Sequence, residues 1–120
     1  MPLTELTLAD IREVMSMSSA RDSIDMPEEH KFGGAVGPAW EEWSVITKKL
    51  TARIDSLSPA AKAELTALAW LGRGDSGNNF DQLVAHAKQS GLDDTGSYLA
   101  AKAPLHAYIR SGVKKLGIGI

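Results

Sequence analysis

The sequence contains no cysteine, which removes a whole class of chemistry. Disulfides, thiolate catalysis and zinc sites with cysteine ligands are excluded. Aromatic residues are few, at 6% of the chain, and no apolar run approaches the roughly 18 residues of a transmembrane helix. We therefore expect one domain with an aliphatic core, because 120 residues are enough to bury one without covalent cross-links. We expect no membrane partner.

The charges are nearly balanced, with 13 basic and 15 acidic residues and a formal net charge of −2. They are unevenly distributed: residues 1–50 hold nine acids against five bases, and residues 51–120 hold six acids against eight bases. A negative net charge argues against bulk binding of nucleic acid. The stretch Met1–Met15 has acids and no basic n-region, unlike a signal peptide, so we expect a cytoplasmic protein.

The first half of the chain predicts two helices separated by a long loop. Thr7 and Asp10 form a capping-box pattern for a first helix within residues 1–21. Proline, glycine and acidic residues over 22–38 indicate the loop, and loops of this length are functional or disordered in most domains. A second helix follows from Pro38. Its apolar side chains recur every three or four residues, at Trp40, Trp43, Ile46, Leu50, Ile54 and Leu57.

The second half predicts further helices with short connections. Ser58 and Pro59 are typical of a helix start, and Gly72 or Gly74 supplies the left-handed residue at its end. Asn78 or Asn79 can cap a fourth helix, and Leu83 belongs to its apolar stripe.

We interpret residues 94–101 as a short turn, and a last helix begins near Pro104. No segment alternates with the period of a strand. The prediction is a single all-α domain over 1–120, a compact bundle of about four to five helices. Its helical core spans 38–117, and 118–120 form a tail.

The corner Trp70-Leu71-Gly72-Arg73-Gly74-Asp75 is the most distinctive stretch of the sequence. Its glycines, with Gly77, match G-x-G-x-x-G, but a dinucleotide site needs a preceding strand in a βαβ unit, and none is predicted. We interpret Arg73 and Asp75 as an ion pair that fixes the turn, with an exposed recognition role as the alternative. An anion site at the next helix start is disfavoured, because Asp75 and Asp81 would repel the ligand.

The last helix places His106, Arg110 and Lys114 four residues apart, with Lys115 beside them and no acid between Lys102 and Ile120. An ordinary solvated face explains this pattern most simply. The alternatives are a docking strip for an acidic partner or a nucleic-acid backbone, and an internal contact with the acidic loop at 22–29. Trp40 is the favoured exposed aromatic residue, whereas Trp43 is expected in the core.

The sequence predicts no catalytic, cofactor or metal site. His30, His86 and His106 lie in separate segments without a ligand spacing such as His-x-x-x-His. No serine or threonine stands in a nucleophile elbow, and the adjacent acid pairs fit solvated positions.

One set of residues between 57 and 117 forms a family-like pattern: Leu65, Leu68, Trp70–Asp75, Phe80, Leu83, Thr95, Tyr98, Leu99, Pro104, Leu105, Tyr108, Gly112, Leu116 and Gly117. Through these residues, 57–117 resemble an uncharacterised bacterial family known only as a domain of unknown function. The resemblance implies a small helical domain and no established activity. The last helix of that family is acidic, whereas this one is basic, so a partner bound through that face need not be shared.

We predict a non-catalytic protein–protein interaction or regulatory module. Its partner is an unidentified protein or a second copy of the chain. The first alternative is a weak nucleic-acid-binding or nucleic-acid-mimicking regulator, and the second is a small enzyme. The interaction candidates are Trp40, Arg73, Asp75, His106, Arg110, Lys114 and Lys115.

Overall fold

The structure is a computed structural model that describes residues 3–24, 38–74, 79–91, 94–102 and 104–119, with only the backbone for 38–40. These ranges form six α-helices and no strand, so the all-α prediction is confirmed for the described part of the chain. The helices are α1 (Leu8–Asp22), α2 (Pro38–Asp55), α3 (Pro59–Arg73), α4 (Phe80–Gln89), α5 (Thr95–Ala100) and α6 (Leu105–Lys115).

Three helices begin where the local sequence predicts. The Thr7 hydroxyl accepts the Asp10 N–H at 3.0 Å, and the Asp10 carboxylate accepts the Thr7 N–H at 3.1 Å. Ser58 caps α3 with its hydroxyl, and Asn79 forms a second capping box with Gln82. These side chains bind N–H groups that have no partner within the helix, so the starts are set by neighbouring residues.

Helix α3 is the centre of the core. An unbroken run from Ala63 to Trp70 is buried on all sides of this helix. α3 makes its most extensive contacts with α6 and next with α4, while α1 and α2 pack on each other at one side. Side chains from the surrounding helices complete the core, among them Ile11, Val14, Leu50, Ile54, Leu83, Leu99, Leu105, Ile109 and Val113.

Two glycines allow α3 and α6 to approach closely. A Cβ on Gly72 would overlap the backbone carbonyl of Tyr108, and a Cβ on Gly112 would overlap the carbonyl of Leu68. The two contacts are one helical turn apart on each helix, so the backbones touch along a full turn. This contact fixes the position of α6, which carries the basic residues of the last helix.

Arg53 joins α1 to α2. Its guanidinium binds the Asp10 carboxylate at 2.5 Å and the Glu13 carboxylate at 2.9 Å. Burial opposes ionisation of Asp10, but the hydrogen bonds from Arg53 and Thr7 outweigh it and lower the pKa of this carboxyl. Asp10 therefore serves both as a helix cap and as a link between two helices.

Glu64 anchors the chain ahead of α1. Its buried carboxylate accepts the backbone N–H groups of Thr4, Glu5 and Leu6 at 2.8 to 3.0 Å, and the Thr4 hydroxyl at 2.9 Å. Burial opposes ionisation, but the four hydrogen bonds outweigh it and lower the pKa of Glu64. The contact brings Leu3 and Leu6, both buried, onto the core beside α3.

The structure corrects two details of the prediction. The residues interpreted as a turn at 94–101 contain helix α5, so the described residues hold six helices, close to the predicted number of about four to five. The Asp55 carboxylate at the end of α2 accepts the Gly96 N–H at 2.9 Å and holds the start of α5, a contact that no local pattern reveals. Helix α1 also continues through Asp22, and residues 25–37 of the predicted loop lie outside the described residues.

Candidate functional site

The corner at the end of α3 is built around one tyrosine oxygen. Gly74 ends α3 in the left-handed conformation at φ 114°, which a glycine adopts without steric cost. The Trp70 indole N–H donates to the Tyr98 hydroxyl at 2.9 Å, and Arg73 lines the same cleft as Tyr98. The corner therefore joins α3 to α5, and Arg73 belongs to it.

Tyr98 is half exposed, at 43% of its surface, and lies among cations. The Lys102 ammonium lies 4.6 Å from the centre of its ring. Burial opposes ionisation of the phenol, but the hydrogen bond from Trp70 and the nearby Lys102 and Arg73 cations outweigh it, so the pKa of Tyr98 is below its ordinary value of 10.0. The environment therefore stabilises negative charge on this oxygen.

A polar cleft of about 460 Å³ opens beside this corner. It lies between α3 and α4, where the His86 ring is 5.3 Å from the Trp70 ring at an angle of 59°. The partner predicted for Arg73, Asp75, lies outside the described residues. The cleft is lined by Trp70, Arg73, Gln82, Leu83, Ala85, His86, Gln89 and Tyr98.

Ser18, Asp22 and His106 meet where α1 contacts the start of α6. The Ser18 hydroxyl is 3.2 Å from His106 Nδ1, and the Asp22 carboxylate is 3.4 Å from the same nitrogen. A catalytic triad places the hydroxyl and the carboxylate on opposite ring nitrogens, so this cluster does not have triad geometry. Ser18 is fully buried and accepts the His106 N–H at 3.0 Å, which ties the start of α6 to α1.

A groove of about 800 Å³ lies between α1 and α6. Arg12 on α1 and Arg110 and Lys114 on α6 are exposed along it, and Val113 is buried at its base. No carboxylate lines the groove within the described part of the chain. Its lining residues are Arg12, Met15, Ser16, Ser19, Ala20, Arg110, Val113, Lys114, Ile118 and Gly119. We call this feature the α1/α6 groove.

The structure divides the basic residues predicted on the last helix. Arg110 and Lys114 line the α1/α6 groove. His106 instead binds Ser18 and Asp22, and the Lys115 ammonium donates to the Leu71 carbonyl at the end of α3, at 2.8 Å. The four residues therefore do not form one continuous strip.

Three further residues were given roles from the sequence, and the structure describes the side chain of only one of them. The side chain of Trp40 and all of Asp75 lie outside the described residues, so their predicted roles stay predictions. Trp43, predicted in the core, is half-buried, and the Arg21 guanidinium lies 5.9 Å from its ring.

The sequence did not lead us to predict the α1 side of the groove or the contact by which Tyr98 links α5 to α3. For the α1 side, the sequence does contain a recognisable pattern. Arg12, Met15, Ser16 and Ser19 have the i, i+3, i+4, i+7 spacing of one helix face, and this face is adjacent to the one that carries the buried Ile11 and Val14. No signal within the sequence pairs Trp70 with Tyr98, because 28 residues separate them.

The chain matches a known protein family. A family model described as "Protein of unknown function (DUF3775)" matches residues 47–118, which is more than half of the chain. The chain belongs to the DUF3775 family. The match contains α3 to α6, the Trp70–Tyr98 corner and the α6 wall of the groove, but not the α1 wall.

The description of DUF3775 gives no activity. No curated protein and no solved structure matches the chain. Within the described ranges, no helix combines the length and apolar composition needed to cross a bilayer. The same ranges contain no group of three or more histidine and acidic side chains placed to hold a metal ion.

Proposed function

We propose that this DUF3775 protein is a non-catalytic interaction module and that it binds an acidic protein partner in the α1/α6 groove. One observation carries the proposal: three exposed cations surround an apolar base, and no acid lines the groove among the described residues. Isolated basic side chains on a surface are ordinary. A concave site with basic side chains beside apolar surface favours a partner that carries acidic side chains beside apolar ones.

The other polar clusters support a non-catalytic role, because they have structural partners. Ser18 and His106 join α1 to α6, Glu64 holds the segment at residues 4–6, and Arg53 joins α1 to α2. Each of these side chains binds a backbone N–H group or an oppositely charged side chain of another segment.

Weak nucleic-acid binding is the second candidate, and the same acid-free groove is the observation that favours it. Three phosphate contacts would give weak binding that falls steeply with salt. Salt dependence therefore separates the two candidates, because apolar burial in a protein complex is not screened by ions.

The test is affinity capture from host lysate at low and moderate salt with three forms of the protein. These are the natural sequence, Arg110→Glu/Lys114→Glu in the groove, and Lys48→Glu/Lys49→Glu as a control. The control reverses two exposed charges on α2, away from the groove. Circular dichroism and thermal unfolding establish that all three forms fold.

We expect a protein that is retained at moderate salt by the natural form and the control, and lost with the groove variant. Nucleic acid retained only at low salt, and lost with the groove variant, would favour the second candidate. A protein retained equally by all three forms would contradict the assignment to the groove.

A further inference from the structure

The α1/α6 groove has the form of a helix-binding site. Its α1 wall is a single helix face, formed by Arg12, Met15, Ser16 and Ser19, because side chains three and four positions apart lie side by side. Its α6 wall repeats this spacing at Arg110, Val113 and Lys114. Two neighbouring helices with exposed faces leave a trough between them, into which a third helix can pack.

The lining of the groove is shaped for close approach. On the α1 side, Ser16, Ser19 and Ala20 are small and exposed, so the backbone of an incoming helix meets little obstruction. Met15 and Ile118 are half-buried in the same lining, and the flexible methionine side chain can adjust to the apolar side chains of a partner. Together with Val113 at the base, they offer apolar contact for a narrow stripe of side chains.

The charges stand on both sides of this base. Arg12 is on the α1 wall, and Arg110 and Lys114 are one turn apart on the α6 wall. Among the described residues, none of the three forms an ion pair, whereas Arg21 and Arg53 both do. Carboxylates on both flanks of a bound apolar stripe would therefore meet a cation on either side.

We infer that the α1/α6 groove binds a short amphipathic helix of a partner protein, with an apolar stripe flanked on both sides by aspartate or glutamate. This inference rests on the proposed function and names the chemistry of the partner. The eleven residues of α6 span about 16 Å at 1.5 Å per residue. The bound segment is therefore about three helical turns long.

Two features favour a protein helix over nucleic acid. Among the residues that the structure describes, no aromatic side chain lines the groove, so these residues offer no surface for base stacking. A phosphate backbone would also leave the apolar base uncovered. An anionic membrane fits less well, since the apolar side chains lie at the bottom of a concave site and do not project from the surface.

The test is selection from a display library of random peptides of about 16 residues on the full-length protein. Selected peptides are sequenced, synthesised and titrated against the natural protein, Arg110→Glu/Lys114→Glu, Arg12→Gln and the control Lys48→Glu/Lys49→Glu. Circular dichroism follows their helix content on binding. Arg12→Gln tests the second wall with a change that adds no negative charge, so a folding defect in the double variant does not decide the result.

We expect selected peptides with acidic residues beside an i, i+3, i+4, i+7 apolar pattern, which gain helix on binding. Their affinity falls about tenfold or more for the groove double variant and by a smaller factor for Arg12→Gln, and it is unchanged for the control. Extended or basic peptides, equal binding to every variant, or no selected peptide would overturn the inference.

This result is independent of the lysate capture. Acidic helical peptides with no groove-dependent protein from lysate would contradict the proposed function and leave the chemistry of the groove established. If the lysate yields a protein that depends on the groove but the library yields no acidic helical peptide, the proposed function is supported and the inferred helical partner is contradicted.

Discussion

At the scale of single residues, polar side chains in this protein bind the backbone of distant segments. Glu64 accepts N–H groups at residues 4–6, Ser18 accepts the N–H of His106, and Lys115 donates to the carbonyl of Leu71. Helix ends leave backbone groups without partners inside the helix. His106 and Lys115, which read as surface charges in the sequence, each have a structural partner.

The Tyr98 phenol gives a direct test at this scale. We expect Tyr98 to ionise at a lower pH than an ordinary tyrosine, and Lys102→Met to raise its pKa, because the substitution removes a cation that lies 4.6 Å from the centre of the ring and lowers the pKa. The measurement is the absorbance of tyrosinate against pH. The chain has two tyrosines, so Tyr98→Phe isolates the signal of Tyr98. An identical titration of Tyr98 in Lys102→Met would contradict the role of the lysine.

At the scale of elements, local sequence determined the starts of α1, α3 and α4, whereas a tertiary contact holds the start of α5. Thr7, Ser58 and Asn79 were recognisable because a cap and its target are three residues apart. Helix α5 was not recognisable, because six residues are too short to show a periodic stripe and its start is held by Asp55 from α2.

The contact between α3 and α6 predicts a strong effect of small substitutions. Gly72→Ala and Gly112→Ala should each lower the free energy of unfolding by about 1–3 kcal/mol or more. The added methyl group overlaps backbone on the other helix, which outweighs the better helix propensity of alanine. Urea unfolding measures the change.

Gly119→Ala is the matched control for these substitutions. A Cβ at Gly119 meets open space, so we expect a change within about 0.5 kcal/mol. Equal stabilities for Gly112→Ala and Gly119→Ala would show that the two helices do not touch as described.

At the scale of the whole molecule, two carboxylates link separate segments and make stability depend on pH. Asp10 ties α1 to α2, and Glu64 ties the start of the chain to α3. The pKa of each is lower in the folded protein than its ordinary value of 3.8 or 4.5. Their contribution to stability is complete above the ordinary value and is lost as the pH falls through the folded pKa.

Glu64→Gln should therefore lower the free energy of unfolding at neutral pH by about 1–3 kcal/mol. It should also make the free energy of unfolding fall less steeply as the pH is lowered. The amide has one acceptor oxygen for donors that two carboxylate oxygens now satisfy, and it does not titrate. Urea unfolding at a series of pH values measures both effects. Parallel pH curves for the natural protein and Glu64→Gln would contradict the role of Glu64.

The sequence by itself determined the helical class, the starts of α1, α3 and α4, and the buried positions Leu50, Ile54 and Leu83. Caps and apolar periodicity act over three to seven residues, so they can be read without a fold. Only the tertiary structure decided that Arg12 lies across from Arg110 and Lys114, that Trp70 and Arg73 meet Tyr98, and that His106 and Lys115 bind other segments. These contacts join residues far apart in the chain, and their geometry depends on how the helices pack.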